Sequence, residues 1–307
     1  MDKIAIRESF GKALEELGEE NQDIVVLDAD LYNATKTEYF KNKFPNRFFN
    51  LGIAEADMIG TAAGLATCSK IPYASTFAAF ATGRVYDQIR TSIAYPKLNV
   101  KICATHSGIT VGEDGATHQM VEDINLMRGL PNMMVISTSS DRQTNWAVKE
   151  IAKYEGPVYL RLARIAVPEI YEENDKFEIG KGIQFGTGTK ATIFATGVTV
   201  KEALDAKKEL KEKNVDIRVV DIHTIKPIDK EMIIKCAKET KRLISIEDHS
   251  IIGGIGSAIS EVLTEEYPAK LERMGIKDTF GKSGKAEQLM QYFGITAKDL
   301  EEKLAGK

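Results

Sequence analysis

Cysteine is scarce in this chain of 307 residues: Cys68, Cys103 and Cys236 are odd in number, widely spaced and form no CxxC pair. That excludes a disulfide framework and a zinc site of the usual spacing, so the three read as buried thiols of a reducing cytosol. Long apolar runs are missing too. None approaches the roughly 20 residues that span a bilayer, and mean hydropathy is −0.22. Positive charge is not in excess, since 41 Lys and Arg against 45 Asp and Glu leave a formal charge of −4. A nucleic-acid binder needs a basic face to neutralise phosphates, so that class is set aside, while local basic pockets for small phosphates are not. The opening residues, Met1 to Arg7, show neither an apolar secretory core nor an Arg/Ser presequence. A cytoplasmic location with no membrane partner is therefore expected.

What the chain does have is regular alternation. Hydrophobic residues make up 43%, enough for a sizeable core, and the length suits about two domains. Short apolar runs at 24–27, 71–75, 100–104, 133–136 and 158–162 read as strands. Helical periodicity lies between them at 6–17, 54–67, 80–95, 121–128 and 141–154. The rhythm stops in a polar, Gly-punctuated stretch and resumes with strands at 191–195, 217–221, 242–246 and 271–276, and helices at 200–213, 229–238 and 255–264. Strands alternating with helices of this length imply crossover units. The expected fold is α/β, two doubly wound domains with mostly parallel sheets, over 1–168 and 189–307 with a linker at 169–188.

Four groups of residues carry possible chemistry. Glu55 opens a helix rich in Gly and Ala (Glu55 to Ala66) that suits close backbone packing, including across a subunit interface. Glu55 is either a first-turn carboxylate favoured by the helix dipole or a desolvated carboxyl poised to share a proton with a ligand nitrogen. The segment Thr105-His106-Ser107-Gly108 through Gly112-Glu113-Asp114-Gly115 to Thr117-His118-Gln119 follows a strand. Ligands in open α/β sheets bind beyond such strand ends. His106 and His118 lack the further ligands a zinc ion takes, so hydrogen bonding and proton transfer suit them better. Phe77 and Phe80 are either core residues or a face for a flat heteroaromatic ring. Arg7, Arg161 and Arg164 suit bidentate phosphate contacts or surface ion pairs. Strand alternation would let only one of Arg161 and Arg164 face a given pocket.

Together these residues resemble the C-terminal half of transketolase, over essentially the whole chain. The resemblance runs through Leu27-Asp28-Ala29-Asp30-Leu31, Leu51-Gly52-Ile53-Ala54-Glu55, Ser75-Thr76-Phe77, Gly112 to Gln119 and Leu160-Arg161-Leu162-Ala163-Arg164. It continues in Asp221 to Pro227 and in Glu247-Asp248-His249 with Gly253-Gly254-Ile255-Gly256. It implies a pyrimidine-binding domain, then a transketolase C-terminal domain, working with thiamine diphosphate on sugar phosphates. Glu55 would be the cofactor-activating glutamate: a carboxyl at the pyrimidine N1′ favours the imino tautomer, whose 4′-nitrogen then serves as base. Phe77 and Phe80 would stack on the pyrimidine, and Asp30 would lie near the cofactor at the subunit interface. Arg7, His106 and Arg164 would surround the substrate phosphate. Asp114 would accept a substrate hydroxyl, and His118 would hydrogen-bond the donor ketose or assist proton transfer.

Two departures stand out. The family's phosphate-binding Ser is replaced in the run Asn33-Ala34-Thr35, and a Tyr one helical turn beyond the two Phe is Gly83, unless Tyr86 takes its place. The Gly-Asp-Gly diphosphate segment is absent, so the resemblance implies a split enzyme. A separate N-terminal subunit would hold the diphosphate and Mg²⁺ or Ca²⁺, with metal ligands there and none here. A homodimer contact would run through the pyrimidine-binding domain. The rivals are a deoxyxylulose-phosphate-synthase-like subunit, a 2-oxoacid dehydrogenase beta subunit and a non-catalytic assembly subunit of the same fold. His223 and His249 read as structural, and the Gly253–Gly256 turn as tight packing.

Overall fold

Residues 3–305 are described by a computed structural model. Its strands are β1 (Lys3–Ala5), β2 (Ile24–Asp28), β3 (Phe48–Asn50), β4 (Ile71–Phe77), β5 (Lys101–Thr105), β6 (Met134–Ser137) and β7 (Val158–Arg161). They continue as β8 (Ala166–Pro168), β9 (Ile183–Phe185), β10 (Thr192–Ala195), β11 (Arg218–Asp221), β12 (Thr224–Lys226), β13 (Leu243–Ser250) and β14 (Leu271–Ile276). Two α/β domains result. The first sheet runs β12-β6-β7-β5-β4-β2-β3 and the second β14-β13-β10-β11-β9. Within these two sheets all pairings are parallel except those of β12 with β6 and β9 with β11, and β1 pairs antiparallel with β8 in a separate two-stranded sheet.

Both faces of each sheet are covered, which is why the strands read as unbroken apolar runs. In β2, Val25 and Leu27 join one core cluster while Ile24 and Val26 join the other. The second sheet repeats the pattern, with Ile193 and Val219 on one side and Phe194 and Val220 on the other. Period-two alternation decides the face, and crossover helices such as Ile6–Glu20, Glu55–Thr67 and Asp141–Lys153 bury it.

Four local features differ from the sequence reading. The helix expected over 80–95 is broken into π-helical turns at Ala79–Arg84 and Ile89–Ala94 around a short α turn at Tyr86–Gln88. Cys68 is exposed, unlike buried Cys103 and Cys236, because it sits at the C-terminal cap of the helix Glu55–Thr67, where the chain turns at the surface. Within 169–188, Ile183–Phe185 form β9 and pair with β11. The strand β12 had no counterpart in the sequence reading. At three residues it is too short for periodicity to reveal.

The domains meet on buried charge. Arg161 Nε donates to Asp123 Oδ2 at 2.8 Å and its Nη2 to the Asp248 carbonyl at 2.8 Å. Asp248, on β13, accepts from the Ile109 backbone N–H at 2.8 Å and from Thr110 Oγ1. Burial raises its carboxyl to about 6 despite the Arg161 charge nearby. The carboxylate fits because Gly108, at φ +72°, has no side chain: a Cβ there would lie 1.9 Å from Asp248 Oδ2. Gly108→Ala should therefore cost roughly 3 kcal/mol, combining strained backbone with a displaced buried carboxylate. Urea unfolding measures this, and an unchanged midpoint would show that the contact gives way freely.

Candidate active site

The register of the first sheet assembles one side of the site. Phe77, last in β4, pairs with Thr105, last in β5, so His106 emerges beside the Phe77 ring. The imidazole stacks on that ring at 3.8 Å between centroids and 22°. Phe80 stacks on Phe77 at 5.8 Å, and His118 meets Phe80 edge-on at 5.5 Å. His106 adopts φ +57°, and its Nδ1 lies 2.9 Å from Thr105 Oγ1. Burial, helped by the positive charges of Arg7 and Arg164, pushes His106 down to about 3. It is therefore neutral at physiological pH. His118 is half-buried, its Nδ1 2.9 Å from Thr117 Oγ1.

Glu55 is the first residue of the helix Glu55–Thr67 and only 6% exposed. Its Oε1 accepts from Arg84 Nη1 at 2.9 Å, and the Arg84 guanidinium lies over the Phe80 ring at 4.0 Å. A planar N–H donor thus rests on an aromatic face and donates to a buried carboxylate. The space beside Gly83 stays open, and Tyr86 packs against the core instead of reaching toward it. Asp30 sits apart at the exposed end of β2, at φ +64°, where Asn50 Nδ2 donates to its Oδ1 at 3.1 Å.

The other side is positively charged. Antiparallel pairing of β1 with β8 aligns Ala5 with Ala166. That pairing brings Arg7, at the start of the helix Ile6–Glu20, beside Arg164 across a cleft of about 390 Å³. Arg7 Nη1 donates to the Ala34 carbonyl at 3.0 Å, whereas its buried Nε has no hydrogen-bond partner. Arg164 donates to the Val111 carbonyl and lies 3.7 Å from Asp114. Arg161 faces elsewhere, buried on Asp123. Arg161 and Arg164 do face different pockets, but strand alternation is not the cause, since β7 ends at Arg161 and Arg164 lies in the turn beyond it.

The family model for the transketolase pyrimidine binding domain matches residues 2–169, and that for the transketolase C-terminal domain matches 180–300. The chain belongs to the transketolase family. It is 50% identical, over 97% of its length and 95% of the relative, to a protein of Methanocaldococcus jannaschii described as a transketolase C-terminal section. It is 41% identical to the 6-deoxy-6-sulfo-D-fructose transketolase subunit of Clostridium sp. strain MSTE9, over 96% and 92% of the two chains. Against rat transketolase the identity is 39%, over 96% of this chain but only 47% of that one. A solved split-gene transketolase, described as an inactive β4 tetramer, superposes with a TM-score of 0.92 at 50% identity, covering 98% of this chain and 97% of that one.

Membership of this family and its pyrimidine-binding domain imply thiamine diphosphate. The residues present fit its ring, because Arg84 already shows that a flat N–H donor lies between Phe80 and the Glu55 carboxylate. No helix among the described residues is long and apolar enough to cross a membrane. Sequence reasoning missed Arg84, whose only signal was its place one residue beyond Gly83. It also gave no role to Gln119, whose Nε2 donates to the Gly112 and Lys282 carbonyls at 3.0 and 2.8 Å, tying the loop to the second domain.

His106 makes one component of stability depend on pH. An unfolded imidazole titrates near its ordinary value of 6.5 and the folded one near 3. Between those values the unfolded imidazole binds more protons than the folded one, so the contribution of His106 to stability rises with pH across that window and levels off above it. His106→Gln should reduce the stability difference between pH 4.5 and pH 7.5 by roughly 2 kcal/mol. Parallel denaturation curves for the two proteins would show that His106 is not held neutral by the fold.

Proposed function

We propose that this chain is the C-terminal subunit of a split transketolase that transfers two-carbon ketol units between sugar phosphates and requires a separate N-terminal subunit. One observation carries the reading: a buried carboxylate, Glu55, at the edge of the Phe77–Phe80 aromatic face, beside a cleft built on two arginines. Support also comes from relatives of this chain's length that are described as subunits or sections of transketolases, and from the like-folded tetramer described as inactive.

Thiamine diphosphate, when bound, supplies the electron sink for breaking and forming the carbon–carbon bond. This chain's residues do the rest of the work on its side of the site. Glu55 holds a proton at the ring's N1′ nitrogen, and Phe77 with Phe80 fixes the ring plane. His118 hydrogen-bonds the donor ketose and carries a proton at its hydroxyl, while Asp114 accepts a substrate hydroxyl. Arg7, Arg164 and the neutral imidazole of His106 grip the phosphate. Asp30 faces the subunit boundary.

The N-terminal subunit contributes the ligands of Mg²⁺ or Ca²⁺. Among the described residues no three His, Cys, Asp or Glu side chains group as metal ligands. The helix Glu55–Thr67 suits a contact between two copies of the chain: Gly60 and Gly64 face open space, and Ile53 before it is 79% exposed. The assembly is two of each subunit, working in the cytoplasm.

Mixing this chain with its N-terminal partner, thiamine diphosphate and Mg²⁺ should give ketol transfer, measured by a coupled assay. Full activity of the chain alone would overturn the reading. In the reconstituted pair, Glu55→Gln should lower kcat by at least about 100-fold, and unchanged turnover would point to a non-catalytic assembly role. Arg84 competes for the Glu55 carboxylate, so Arg84→Ala should tighten thiamine diphosphate binding by about three- to tenfold in a calorimetric titration. Weaker binding would instead assign Arg84 to holding the ring.

A further inference from the structure

The cleft that holds Arg7 and Arg164 has a second wall, formed by Gly284, Lys285 and Ala286 of the other domain. Its charges do not simply add. Glu113 lines the same cleft and Asp114 lies 3.7 Å from Arg164, so the two arginines face two carboxylates. Lys285 is exposed, and no ion pair engages its ammonium among the described residues. It supplies the uncompensated positive charge of the cleft.

The backbone that carries Lys285 is held in place. Gln119 donates to the Lys282 carbonyl at 2.8 Å, and a Cβ on Gly115 would lie 2.4 Å from Ser283 Oγ. The Gly284 carbonyl comes within 3.3 Å of the point where a Cβ on Gly112 would stand. Just beyond, Leu289 and Met290 are buried in a cluster with Ile109 of the first domain. The lysine is thus presented at a fixed rim, and across from it Arg7 keeps a buried Nε donor unmatched. Both features suit an anion entering the cleft.

We propose that Lys285 is a third cation of this cleft and makes it selective for a dianionic substrate terminus, a phosphate, over a monoanionic or neutral one. The proposal rests on the reading of the cleft as the sugar-phosphate site. A phosphate monoester carries about −1.5 to −2 charge near neutral pH. Two arginines offset by two carboxylates discriminate poorly between that charge and a single negative one. An added ammonium favours the more highly charged group, and donating N–H groups to it strengthens the contact.

The test uses the reconstituted pair with an aldose phosphate acceptor and the same aldose without phosphate. Lys285→Ala should raise KM for the phosphorylated acceptor about tenfold, leaving kcat and the KM of the neutral sugar unchanged. Lys285→Arg should restore most of the loss. An equal fall for both acceptors, or no change for either, overturns the proposal. Inorganic phosphate binding, followed by its effect on melting temperature, gives a readout independent of turnover. Lys285→Ala should weaken it about tenfold, and undiminished phosphate binding also overturns the proposal. If the wild-type pair transfers no ketol units while Lys285→Ala still weakens phosphate binding, the transketolase reading fails and the anion site stands.

Discussion

Arg161 cannot be buried alone. A guanidinium removed from water needs both charge compensation and its N–H groups matched, and here Asp123 provides the first and the Asp248 carbonyl part of the second. Because Asp248 belongs to β13, matching that N–H requires the second domain to be docked. The same aspartate then holds Ile109 and Thr110, at the root of the loop that carries Asp114 and His118. One buried guanidinium therefore links domain docking to the shape of the site. Tyr159, whose hydroxyl donates to Asp123 at 2.7 Å, completes the set from the sheet side.

The site is a convergence of strand ends. Phe77, Thr105 and Arg161 are the last residues of three adjacent strands, β4, β5 and β7, and Phe80, His106 and Arg164 just beyond them line the candidate site. Parallel strands place all these ends on one edge. The division of labour follows from what each position can reach: an apolar face backed by the core, and a charged cleft where β1 and β8 pair at the rim. His106 stands between them, stacked on Phe77 and held neutral near Arg7 and Arg164. A neutral imidazole at that boundary donates a hydrogen bond without adding to the positive charge.

Much of this was legible in the sequence. The long strands and the amphipathic helices announced themselves through periodicity, and the His106–Gln119 loop through its density of glycine and ionisable groups. The sequence singled out Glu55 as a candidate but not its neighbour Arg84, since that contact depends on π-helical turns that shift side chains away from ordinary helical spacing. Lys285 was invisible for a different reason. Its relation to Arg7 exists only once the two domains are docked, and no local pattern encodes a contact between segments so distant. Cys68 misled because scarcity of cysteine says nothing about where a helix ends.

The short strand β12 is the feature with the widest reach. Thr224 and Lys226 pair with Ile136 and Val135, so the second half of the chain supplies the outermost strand of the first sheet. A protein cut between its two family modules would leave β6 with an uncovered row of N–H and C=O groups, an invitation to sheet-to-sheet sticking. The two modules are separable on paper yet share one piece of fabric.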